Sequence, residues 1–124
     1  MYTGILLNKS FDESRTVIDS LHILRTKIYT DSDWIVYQAV IDNNNIEEVL
    51  KNTSKNMIDG PWYNHFYNED EVVVVFKDKI FRISKSNYDL SEIIIYSQNL
   101  DIPSDQIDIK PINDSQLEDY FNNG

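Results

Sequence analysis

The chain is predicted to be an α+β domain: a ferredoxin-like or related antiparallel sheet with its helices packed on one face. Three features of the sequence predict this. Short runs rich in Ile, Val, Tyr and Phe alternate with period two, as half-buried strands do. Two longer stretches, 45–57 and 90–100, carry their apolar residues at helical spacing instead. Tight polar clusters separate neighbouring runs, which suits hairpins better than the long crossovers of a parallel sheet.

Taken in order, residues 2–7 form a first apolar strand. Ser10-Phe11-Asp12-Glu13 then matches a capping box, in which serine and glutamate satisfy each other's amides, and predicts a helix over about 12–20. Residues 23–30 and 34–42 read as two strands joined by Asp31-Ser32-Asp33. Both faces of 34–42 are mostly apolar, which predicts a central strand. Over 45–57, Ile46, Val49, Leu50, Thr53 and Met57 make one stripe, and Glu47 stands four residues before Lys51. Gly60-Pro61 is the expected stop. An aromatic extended segment, 62–67, precedes a turn at 68–71 and a hairpin of 72–76 with 80–84. Asp89 caps a third helix, with Leu90, Ile93, Ile94, Ser97 and Leu100 inward, and Pro103 ends it. A short strand at 107–109 and a helical turn within 114–121 complete the reading. Residues 1–109 are expected to form a single domain, and 110–124 an acidic C-terminal tail.

With 124 residues and 41% hydrophobic side chains, the chain has enough apolar material for a core in spite of its net charge of −10. The absence of cysteine excludes disulfides, thiolate nucleophiles and cysteine-based metal sites. No basic segment followed by an apolar run opens residues 1–30, and the longest apolar run, 72–76, is too short to span a bilayer. A cytoplasmic protein is expected. An acidic surface repels a phosphate backbone, so direct nucleic-acid binding is not expected. The wealth of Ile, Asn, Asp, Lys and Tyr, with Ala39 the only alanine, resembles AT-rich coding in a low-GC bacterium or its phage.

Chemistry-bearing motifs are scarce. Gly4, Gly60 and Gly124 are the only glycines, too few for a phosphate-binding loop or a dinucleotide fingerprint. No zinc-protease, EF-hand or nucleophile-elbow motif occurs, and neither a metal nor a cofactor is expected. His22 opens a strand and reads as structural. His65 is more suggestive, because in an extended segment Tyr63, His65 and Tyr67 share one face while Trp62, Asn64 and Phe66 share the other. With Lys77, Lys79 and Arg82 on the following hairpin, a Tyr-His-Tyr face makes a candidate anion or small-molecule site. The plainer alternative is a covered groove edge with basic residues that discourage edge pairing. The acidic candidates for partner binding are Glu69, Asp70 and Glu71 in the turn, and Asp114, Glu118 and Asp119 in the tail.

Three segments taken together, Gly60-Pro61-Trp62-Tyr63-Asn64-His65-Phe66-Tyr67, Val75-Phe76-Lys77-Asp78-Lys79-Ile80-Phe81 and Ile102-Pro103-Ser104-Asp105-Gln106-Ile107-Asp108, resemble a group of small bacterial proteins with no established activity. Asp33-Trp34 matches the start of the tryptophan-led strand in that pattern. The resemblance covers about 33–109. It implies a compact α+β domain and assigns no catalytic role.

The leading functional expectation is a non-enzymatic interaction module, a regulator or inhibitor that offers acidic surface to a basic protein. A small-ligand domain built on Tyr63, His65 and Tyr67 is the second, and an enzyme using His65 as acid or base the third. A homodimer formed by sheet packing is compatible with the fold class.

Overall fold

The structure is a computed structural model that describes residues 1–11, 16–102 and 118–121. Six strands form one antiparallel sheet: β1 (Tyr2–Leu7), β2 (His22–Ile28), β3 (Ile35–Ile41), β4 (Asn64–Tyr67), β5 (Glu71–Phe76) and β6 (Lys79–Ser84), in the order β2-β3-β1-β4-β5-β6. Among the described residues three α-helices accompany them, α1 (Thr16–Asp19), α2 (Ile46–Asn56) and α3 (Ser91–Gln98), besides a helical turn at 118–121. The first six elements run β-α-β-β-α-β, with β1 and β3 at the centre of that unit, and the β5–β6 hairpin extends the sheet beyond β4. The α+β class and the antiparallel sheet are therefore as expected.

The placement of the helices differs from the expectation. Alternation along β5 divides the core into two layers, one on each face of the sheet. Val73 and Val75 point with Leu6, Tyr37, Ala39, Ile41 and Phe66 toward α1 and α2. Val72, Val74 and Phe76 point with Tyr67 and Ile83 toward Ile93 of α3 and toward Ile102. A strand with no polar face requires cover on both sides, so the unbroken Val72-Val73-Val74-Val75-Phe76 run draws α3 to the face opposite α2. All five of these residues are buried.

The stripe on α2 packs as read: Ile46, Leu50, Thr53 and Met57 are all buried. The helix stops before Gly60, because Met57 is already extended and forms an isolated antiparallel bridge with Phe11. Ser10 is buried, donates to the Leu7 carbonyl at 2.7 Å and accepts from Asn64 Nδ2 at 2.9 Å. Glu13 and the expected helix start lie outside the described residues. The N-cap of α3 is Leu90, without a side-chain cap hydrogen bond, rather than the expected Asp89. Asp89, one residue earlier, accepts from the Ser91 amide at 2.9 Å, and its carboxyl is held below the ordinary range by the Ser91 hydroxyl and amide. Pro103 and the expected strand at 107–109 fall outside the described residues. Residues 118–121 form a helical turn. Tyr120 shares a 2.6 Å hydrogen bond with the Tyr29 hydroxyl, and Phe121 packs against the second core layer.

Candidate functional site

The antiparallel register decides which side chains meet. Tyr2 of β1 lies opposite Ile41 of β3, Thr3 opposite Tyr67 of β4, and Glu71 of β5 opposite Ser84 of β6. His22 opens β2 opposite Val40. One end of the sheet therefore holds the end of β3, the start of α2 and the β4–β5 turn. These bring Asp42, Glu47, Glu48, Glu69, Asp70 and Glu71, far apart in sequence, to the same end. The opposite end carries the β5–β6 turn with Lys77 and Asp78 and the C-terminal turn of α2 with Lys55. Lys9 and Asp33 pair there at 3.4 Å.

Two of the six carboxylates are internally engaged. Arg82 donates from Nε and Nη2 to the two oxygens of Glu71, at 3.0 and 2.6 Å. Its Nη1 donates to both oxygens of Glu47, at 2.6 and 2.9 Å. The Tyr2 hydroxyl donates to Glu71 from the adjoining side. The guanidinium holds the Glu71 carboxyl below its ordinary range, although partial burial pulls the other way. Burial, then the hydrogen bond to Glu71, pushes the Tyr2 phenol up. The Arg82 guanidinium is held fully charged by Glu71 and Glu47. Glu47, expected to pair with Lys51 one turn along α2, reaches across to β6 instead. Asp42, Glu48, Glu69 and Asp70 are exposed and enter none of the ion pairs among the described residues. Asn68 shapes the turn that presents Glu69 and Asp70, because its Oδ1 accepts from the amides of Asp70 and Glu71 at 2.8 and 2.9 Å.

An open cavity of about 510 Å³ lies at the same end, lined by Leu21, Val40, Ile41 and Val49 on its apolar side and by Ser20, His22, Asp42 and Asn45 on its polar side, with Met1 alongside. A smaller one of about 270 Å³ lies between β6 and α3. Among the described residues no group of three His, Cys, Asp or Glu side chains is placed to hold a metal ion, and no helix is long and apolar enough to cross a membrane.

The aromatic candidates share a face, as their alternation implied, but that face is covered. Tyr67 is buried in the second core layer and Tyr63 packs against it, its ring 6.2 Å from that of Phe76. His65 is half-buried, with its ring 6.5 Å from Tyr63, and lines neither cavity. The basic candidates do not converge on these rings. Lys77 donates to the Lys55 carbonyl at 2.9 Å. Lys79 stands 5.2 Å over Phe81 at the edge of the sheet. Arg82 lies opposite Val73, so it projects from the face that carries α2, away from Tyr63 and Tyr67.

The acidic candidates also divide. Glu69 and Asp70 are exposed, whereas Glu71 is half-buried under Arg82. Glu118 and Asp119 are exposed on the turn that Tyr120 and Phe121 anchor, and Asp114 lies outside the described residues. Asp42 and Glu48 were missed as partners of Glu69 and Asp70 because only the strand order joins their loops. Their signal in the sequence is that each lies at an element boundary. No family model matches the chain, and neither does any curated protein or solved structure.

Proposed function

We propose that the protein is a non-enzymatic interaction module, a cytoplasmic regulator or inhibitor, that presents the acidic end of its sheet to a basic protein partner. The observation that carries this reading is the gathering of Asp42, Glu48, Glu69 and Asp70, exposed and outside every ion pair among the described residues, at one end of the strands. Arg82, a base at that end, is already consumed by Glu47 and Glu71. Clustered charge of one sign raises encounter rates with a complementary surface and disfavours wrong partners.

The test is affinity capture with the tagged full chain at about 50 mM and about 500 mM salt, a range over which exposed charges become strongly screened. It is run beside a variant carrying D42N, E48Q, E69Q and D70N. A basic protein captured stoichiometrically at low salt, lost at high salt and lost with the variant supports the reading. Equal capture by the variant overturns it.

A further inference from the structure

The cavity beside this acidic end differs from a merely charged surface in having one greasy wall. Leu21, Val40, Ile41 and Val49 line one side, and Ser20, His22, Asp42 and Asn45 the other, around about 510 Å³ of open space. Its parts come from four elements. Leu21 and His22 precede and open β2, Val40 and Ile41 close β3, Asp42 and Asn45 belong to the turn before α2, and Val49 lies on the first turns of α2. Leu21 and Val49 are partly buried hydrophobics packed on the first core layer, so the apolar wall continues that core to the surface.

Resting on the reading of the acidic end above, we propose that this cavity is the anchor site of the interaction and takes a lysine or arginine side chain of the partner. The match is chemical. An aliphatic stem ending in a cation buries its methylenes along apolar surface while its head seeks a carboxylate. The apolar wall supplies the first, and Asp42, with no ion pair among the described residues, supplies the second. Ser20 and Asn45 add hydroxyl and amide oxygens that accept from an ammonium or guanidinium. Exposed Glu48, Glu69 and Asp70 belong to the same end of the sheet and add charge of the sign that draws in a basic surface. An uncharged apolar group would leave Asp42 unanswered, and a bare cation would leave the apolar wall wet.

The experiment follows backbone amide shifts of the full chain during titration with three probes. Nα-acetyl-lysine methylamide has stem and charge, Nα-acetyl-norleucine methylamide has the stem alone, and methylammonium has the charge alone. The expected result is saturable shifts at His22, Asp42 and Val49 with the lysine probe, and at least about tenfold weaker responses with the other two, the size of one lost charged contact. D42N should weaken the lysine probe by a similar factor. Asn45→Trp, at an exposed position whose side chain makes no cap hydrogen bond, should fill the cavity and abolish the shifts at an unchanged melting temperature. Equal response to norleucine or to methylammonium overturns the anchor, as does full binding by N45W. Because N45W keeps the acidic surface, capture of a partner by N45W with loss in the four-site variant would sink the anchor alone. Capture by the four-site variant sinks the acidic-end reading itself.

Discussion

Arg82 and Glu71 lie diagonally across the β5–β6 pair and are joined by a two-point fork, with N–O distances of 3.0 and 2.6 Å. Glu47 closes the same guanidinium from α2, so one side chain ties β5, β6 and α2 together at the acidic end. Removing it leaves two carboxylates and the Tyr2 hydroxyl crowded without a cation. R82A is expected to destabilise the fold by about 1–2 kcal/mol, between the small value of an exposed pair and the larger loss when a buried pair is broken. Urea unfolding with unchanged slope measures it. E47Q should cost much less, because the Glu47 side chain is 73% exposed.

The same pair sets an acid limb in stability. Glu71 has a folded-state pKa below its ordinary value of 4.5, chiefly through Arg82. Below 4.5 the unfolded chain therefore binds more protons at this site than the folded one. Its stabilising contribution is complete above 4.5 and is lost as pH falls from there through the folded value. E71Q should flatten that part of the stability–pH curve while lowering stability at neutral pH. A curve for E71Q parallel to that of the parent down to the acid transition would show that Glu71 contributes no such limb.

Gly4 sits in β1 between β3 and β4, and a Cβ placed there would lie 2.6 and 2.7 Å from two ring atoms of Phe66. Phe66 is fully buried, so the ring has no free space into which to turn. G4A is expected to cost about 1–3 kcal/mol as overpacking. Adding F66L should recover part of that loss, and a double-mutant cycle with a coupling near zero would contradict the contact.

Asn64, 1% exposed, ties the start of β4 to the end of β1 and to Ser10 just past the last β1–β4 ladder pair, Ile5 with His65. Its Oδ1 accepts from the Leu7 amide at 2.8 Å, and its Nδ2 donates to Ser10 Oγ at 2.9 Å. N64A leaves the Leu7 amide without this acceptor and should cost about 2–3 kcal/mol, near the upper end for an orphaned buried group. Hydrogen exchange at Leu7 should accelerate by more than exchange at Val74. Equal acceleration at both would mean a global loss of stability alone.

The strands and helices were legible where local pattern and burial agree. β1 matches its expected limits, and the stripe on α2 was readable from Ile46 to Met57. Less legible was what long-range contacts redirect. Asn64, 54 residues away, donates to the buried Ser10 hydroxyl, a contact that nothing local to Ser10 signals. Glu47 suited Lys51 by helix spacing, yet Arg82 offers a guanidinium with several donors, a stronger partner than an exposed lysine one turn away. Of the candidate site residues, Glu69 and Asp70 stand exposed as read, whereas Glu71 and Arg82, taken as binding groups for different partners, bind each other.

By itself the sequence determined the α+β class, the interior rather than edge position of β3 and the acidic balance, because these follow from period, apolar alternation on both faces and composition. The tertiary structure alone decided that α3 covers the face opposite α2, that Arg82 turns away from Tyr63 and His65, and that Asp42 and Glu48 join Glu69 and Asp70 at one end. The physical reason is that period two fixes which residues share a face of a strand. Which strands lie side by side, and which ends coincide, depends on pairings between segments tens of residues apart, and no local pattern encodes those pairings.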